Sequence, residues 1–170
     1  MFQEYMQTTY ETCLAVGLLQ AIGAKITRKL ELACIDHSLR YSKDDFVIGH
    51  LDFVRKKYRV SFQRFVDNKF YRRFLKGKGI LSSLSKINTS FIDSQLAGRP
   101  ILIIDTFYLG NMVHCSHWVA ILSKENRCYE LFDPGDGKPK TLPAKQLSRE
   151  ISSLRNRLNF CLQLLVMRKS

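Results

Sequence analysis

Two apolar stretches joined by a short polar break constrain this chain more than any other feature. His117-Trp118-Val119-Ala120-Ile121-Leu122 reads as a strand that opens on a histidine. Ser123 to Asn126 forms a polar turn, and Arg127 to Phe132 a second strand that ends at Asp133-Pro134-Gly135. With so short a turn the two strands pair antiparallel, and the start of the first lies beside the end of the second. His117 and Asp133 are therefore expected to meet at one edge of a sheet. A carboxylate held against an imidazole fixes its tautomer and stabilises its cationic form. Such a pair still needs a nucleophile.

The order of elements frames the search for one. Gln3 to Gln7 is a lead-in. Thr8 or Thr9 is a candidate helix cap, with Thr8 and Glu11 at the spacing of a capping box, and Thr12 is a second candidate that places Cys13 on a first helical turn. The helix runs to Gly23 and is apolar on most faces, so it is expected to be central and buried. Lys25 to Arg40 reads as a second helix, and Ser42-Lys43-Asp44-Asp45 as the start of a third. Arg59 to Phe74 fits both a strand period and a helical one. Lys76 to Ser85 reads as a loop and Phe91 to Ala97 as a short helix closed by Gly98. Ile101 to Phe107 is a central strand, Leu109 to Ser116 a loop, and Asp133 to Pro143 a turn-rich loop. A helix from Pro143 to Asn156 and a final strand from Phe160 to Arg168 complete the chain. The expected fold class is α+β, with N-terminal helices packed on a C-terminal antiparallel sheet in one domain spanning 1–170.

Cys13 is the candidate nucleophile. A thiol alone on an apolar helix reads first as inert core. A helix N-terminus, however, favours the thiolate, and a nearby imidazole can take its proton. Gln7 stands six residues earlier, where its amide could face an oxyanion beside the sulfur.

The sequence Gln-x5-Cys on an N-terminal helix, then His-aromatic-Val-x-Ile, then Asp-Pro, resembles the papain-like cysteine peptidases. It looks most like their bacteriocin-processing, double-glycine group and its stand-alone relatives, and the likeness covers nearly the whole domain. It implies a papain-like fold in which Cys13 is the nucleophile and His117 the general base and acid. It also implies that Asp133 orients His117, and that Gln7 with the Cys13 backbone N–H forms an oxyanion hole. Thr12 and Leu14 depart from the group, whose members usually carry an acid or Asn before the Cys and a Gly after it. A bulky Leu14 is expected to narrow the approach to the sulfur.

The implied activity is a cysteine-dependent hydrolase acting on a peptide or amide bond. Deamidation and transglutamination of a protein substrate share the same first half-reaction. No cofactor or metal is expected. Cys115 is a rival nucleophile without a helix start behind it. His114, Cys115 and His117 lack the second ligand pair that a structural zinc site requires. His37 and His50 read as structural, Cys34, Cys128 and Cys161 as core, and the lysines flanking Pro139 as a solvated loop.

The net charge of +12 is concentrated. Residues 53–79 hold ten Lys or Arg against the single acid Asp67, with aromatic residues interleaved. This segment is either an ordinary solvated face over core aromatics, or a surface for a nucleic-acid phosphate backbone (for which no compact motif is present), an acidic partner or an anionic membrane. In the second case a non-catalytic binding module on the same fold is the competing function. No apolar run reaches membrane-spanning length, and no basic-then-apolar signal pattern opens the sequence. With an odd number of cysteines, five in all, the expected setting is cytoplasmic, or exported without a cleaved signal as a secreted effector.

Overall fold

The computed structural model describes residues 3–43, 45–109 and 113–168. Asp44 of the expected helix start and residues 110–112 of the expected loop lie outside them.

The first helix, α1 (Cys13–Ile22), is buried along nearly its whole length, as its apolar composition requires. It ends at Gly23, whose left-handed φ of 73° lets its N–H reach the Leu19 and Gln20 carbonyls. A single 3₁₀ turn, Tyr10–Thr12, leads into it. The expected Thr8–Glu11 box is replaced by Thr9 and Thr12. The Thr9 N–H donates to Thr12 Oγ1 at 3.3 Å, and that hydroxyl donates to the Thr9 carbonyl at 2.7 Å. Thr8 does not cap because its hydroxyl is held by Glu31.

Helices α2 (Arg28–Tyr41) and α3 (Phe46–Tyr58) begin on the side-chain caps Thr27 and Asp45. They pack closely at Gly49, where a Cβ would lie 2.5 Å from Ser38 Cα. The two-period stretch that follows contains both elements. Arg59, with φ of 56°, ends α3, strand β1 spans Ser61–Val66, and Asn68 caps helix α4 (Lys69–Gly77). Strand β2 (Ser83–Leu84) is a two-residue addition, followed by α5 (Thr89–Gln95).

Beyond Pro100 come β3 (Ile101–Asp105), β4 (Ser116–Glu125), β5 (Cys128–Asp133), β6 (Lys138–Pro143), α6 (Ala144–Asn156) and β7 (Gln163–Arg168). The architecture is α+β, with six α-helices among the described residues and a seven-stranded sheet ordered β2-β1-β7-β3-β4-β5-β6. The sheet is mixed rather than purely antiparallel, because β1 and β2 pair in parallel at one edge. Both come from the helical half of the chain.

Two further expectations are corrected. The β4–β5 turn is only Asn126–Arg127, both left-handed with φ of 46° and 63°, so β4 runs on through Ser123 and Lys124 to Glu125 and β5 starts at Cys128. Residues 138–143, read as loop, form β6. Its two prolines are tolerated because β6 is the outermost strand on its side of the sheet. α1 packs along β4 and β3, and α6 covers β3, β5 and β6.

Candidate active site

Cys13 is the first residue of α1, and the segment before it is fixed from two sides. The Tyr5 N–H donates to the Gly137 carbonyl at 3.2 Å, and the Gln7 N–H to the Pro134 carbonyl at 2.8 Å. The lead-in therefore lies along the turn that follows β5. A Cβ at Gly137 would come within 2.4 Å of the Met6 nitrogen, so that close approach requires glycine. From the other side Glu31 of α2, fully buried, accepts three hydrogen bonds. They come from the Tyr5 hydroxyl at 2.6 Å, the Thr8 N–H at 2.7 Å and the Thr8 hydroxyl at 2.5 Å. Burial opposes its charge, but the neighbouring Thr12 hydroxyl and the hydrogen bonds from Thr8 and Tyr5 prevail and hold its carboxyl below the usual range. Glu31 is thus a positioning residue for the helix start. Nothing in its sequence neighbourhood marks it.

His117 enters from the start of β4 and Asp133 from the end of β5. They meet as the hairpin predicts, Nε2 to Oδ1 at 2.8 Å, with the residues 5 % and 4 % exposed. The Gly135 N–H also donates to Oδ1 at 2.8 Å, and Lys140 Nζ of β6 donates to Oδ2 at 2.6 Å. The sequence pattern places Lys140 in a solvated loop. Forming β6 brings it onto the carboxylate that orients the histidine. Burial raises the Asp133 carboxyl, but the His117 hydrogen bond and charge, Lys140 and the Gly135 N–H together push it far below the carboxylate range.

The Cys13 thiol is the other group that bears on His117. Nε2 is taken by Asp133. Burial disfavours the imidazolium, yet the hydrogen bond to Asp133, the neighbouring Cys13 thiol and the Asp133 charge raise its pKa to about 9. The arrangement therefore favours a protonated imidazole against the Asp133 carboxylate.

The Gln7 side chain lies at the same helix start. Its Nε2 donates to the Tyr10 carbonyl at 3.2 Å, which uses one of its two N–H groups, and its buried Oε1 has no hydrogen-bond partner among the described residues. Cys13 and Leu14 both line a cavity of about 650 Å³, with Tyr10, Leu39, Trp118 and Phe160 among its other walls. Leu14 is 1 % exposed and is a wall of that cavity.

A second histidine–carboxylate pair lies three residues upstream. His114 Nδ1 bonds Asp105 Oδ2 at 2.6 Å, and Asp105 also accepts from the Ser153 hydroxyl at 2.6 Å and the Phe107 N–H at 3.2 Å. The Phe107 ring stacks on His114 at 4.2 Å between centroids, and Arg157 Nη1 lies 3.5 Å from its Nε2. Cys115 contacts the Thr106 hydroxyl at 2.9 Å. The Tyr10 phenol is pushed up to about 12 by the neighbouring Cys115, by burial and by the nearby Cys13 and Glu11. Among the described residues no group of three or more His, Cys, Asp or Glu is placed to hold a metal.

The remaining expected structural residues divide. His37 bonds Asp52 at 2.9 Å and His50 is fully buried. Cys34 is in the core, whereas Cys128 and Cys161 are only half-buried. In the basic segment 53–79, Arg64 is buried against Asp45 at 2.7 Å, Gln163 at 2.6 Å and Tyr71 at 3.0 Å, and the other nine cations are exposed. Phe65 is buried, but Phe70 and Phe74 stand 66 % and 49 % exposed, so not all of the interleaved aromatics are core. Among the described residues no helix is long and apolar enough to cross a membrane.

No protein-family model matches this chain, and no curated protein matches it in sequence.

Proposed function

We propose that this chain is a papain-like, cysteine-dependent hydrolase of peptide or amide bonds. The observation that carries the reading is the buried His117–Asp133 pair, whose imidazole neighbours the thiol that opens α1. Cys13 passes its proton to His117 and attacks the carbonyl carbon. The resulting oxyanion is stabilised by the Cys13 backbone N–H at the helix start and by the second N–H of the Gln7 amide. His117 then protonates the leaving amine, the C–N bond breaks, and a thioester to Cys13 remains. Water activated by His117 hydrolyses it to the acid and restores the thiol. The apolar cavity beside Cys13 suits a substrate with apolar side chains next to the scissile carbonyl.

Deamidation and transglutamination follow the same course to the thioester and differ in the amide attacked or in the second nucleophile. A proteome-derived peptide library incubated with the protein and with its Cys13→Ala variant distinguishes them. New peptide termini dependent on Cys13 mean proteolysis. Conversion of Gln to Glu, or new isopeptide bonds, means side-chain chemistry. Absence of any Cys13-dependent product would contradict the enzyme reading.

A further inference from the structure

Helix α4 carries three distinct surfaces. Leu75 and Tyr71 face the body of the protein, Leu75 fully buried and Tyr71 bonded to the buried Arg64. Lys69, Arg72, Arg73 and Lys76 recur at i, i+3 and i+4 spacing and form a continuous basic arc. Phe70 and Phe74, also four apart, form an aromatic ridge beside the arc, 66 % and 49 % exposed, and Lys69 Nζ lies 5.2 Å from the Phe70 ring centre. On the other flank, Arg72 Nε reaches the Ser82 carbonyl at 3.4 Å, which sets Leu81, 92 % exposed, next to the helix. The stretch 69–86 contains six Lys or Arg and no acid. Arg73 and Lys76 have no ion-pair partner among the described residues.

We propose that α4, with Leu81 beside it, is a docking surface for an anionic phospholipid bilayer. The charge pattern and the apolar pattern agree on that occupant. An acidic peptide lying along the basic arc would neutralise it but leave the phenylalanines on one flank and Leu81 on the other in water. A lipid headgroup layer meets the cations while all three apolar side chains enter the acyl boundary. The site also connects to the chemistry. Phe160, Tyr71 and Gln163 line both the Cys13 cavity and a second cavity of about 530 Å³ walled by Phe70 and Phe74. A docked molecule would hold this apolar trough at the bilayer surface, so that a membrane-proximal segment of substrate could reach Cys13. The docking itself does not depend on the catalytic reading.

The test is co-sedimentation of the full chain with vesicles of phosphatidylcholine alone and of equimolar phosphatidylcholine and phosphatidylserine. The protein should partition onto the mixed vesicles, not the neutral ones, and less strongly as salt rises. Arg73→Gln with Lys76→Gln should weaken partition by roughly 25-fold, about fivefold per cation. Phe70→Ser with Phe74→Ser should weaken it by about tenfold or more. All four side chains are exposed, so the fold should survive, which unchanged thermal unfolding checks. Phe70→Trp should report insertion as a blue shift of its emission on vesicle addition. Cys13→Ala should bind as the parent does, so failure of docking and failure of catalysis are read separately. Absence of partition onto the mixed vesicles would overturn the proposal. So would wild-type binding by the double-serine variant. Binding of soluble polyglutamate without vesicle partition would reassign the face to an acidic polypeptide.

Discussion

Two histidines, His114 and His117, stand at one end of β4, and each bonds a buried aspartate, at 2.6 Å and 2.8 Å. Both carboxylates are fully engaged. Asp105 is satisfied by Ser153 and the Phe107 N–H, and Asp133 by Lys140 and the Gly135 N–H. What differs is the far side of each ring. His114 meets a stacked Phe107 and the Arg157 guanidinium, a cation that can take no proton and attack nothing. His117 meets a thiol at the first residue of a buried helix, beside an open cavity. A histidine–aspartate pair is thus no signature of catalysis by itself. The pair at Asp105 ties the loop before β4 to α6, and the Ser153 hydroxyl points at the carboxylate rather than at the ring.

Several variants sharpen or break this contrast, with iodoacetamide labelling of Cys13 as the common readout. The largest effect is expected for His117→Ala, which should slow Cys13 labelling by about a thousandfold, while His114→Ala should leave it within about twofold. Equal losses would erase the distinction between the pairs. Asp133→Asn should slow labelling by about a hundredfold, because the imidazole loses both its orientation and its counter-charge. Lys140→Ala, which acts only through Asp133, should cost about tenfold.

Asp105→Asn should do the opposite. It should leave labelling near the parent rate but lower unfolding stability by about 2–3 kcal/mol, read from the urea midpoint, because it disrupts a buried hydrogen-bonded network. Glu31→Gln falls between. A loss of about 1–2 kcal/mol should come with a roughly threefold slower labelling rate, since the helix start it holds becomes looser.

The last prediction is a pH dependence. The pKa of His117 is raised from 6.5 to about 9 in the folded protein. Its contribution to stability is therefore complete below about 6.5 and is lost as pH rises through about 9. The stability gap between the parent and His117→Gln should shrink over that window. A gap that widens there would mean that the folded protein favours the neutral ring.

The readable part of this site was the part built from local pattern. A hairpin with a histidine at its start and an aspartate at its end has little freedom, and the apolar run after Thr12 places Cys13 at a helix start, although the Thr12 hydroxyl donates back to the Thr9 carbonyl instead of capping α1. The unread part came from strand and helix partners distant in sequence. Lys140 was invisible because Pro139 and Pro143 argue against a strand, and only edge position lets β6 form around them. Glu31 lies in an unexceptional helix and acts across 23 residues on Thr8. Asp105 ends an apolar strand and gives no sign that His114, on a loop, will fold back onto it. The ambiguous stretch 59–74 carried two true signals. Alternation belonged to β1 and the helical period to α4, and the break between them lay at Asp67-Asn68. Arg64 sat among solvated cations in sequence but is buried, because Asp45, Gln163 and Tyr71 together satisfy its guanidinium.

The most direct test of the central claim is a brief treatment of the native protein with dilute iodoacetamide at mildly acidic pH, with each adduct located by peptide mass spectrometry. An isolated thiol, with pKa about 8.5, reacts slowly under those conditions. The account predicts that Cys13 is labelled ahead of the other four cysteines, that His117→Ala removes the preference, and that His114→Ala keeps it. Labelling of Cys13 no faster than the others, or equal loss in both histidine variants, would contradict it.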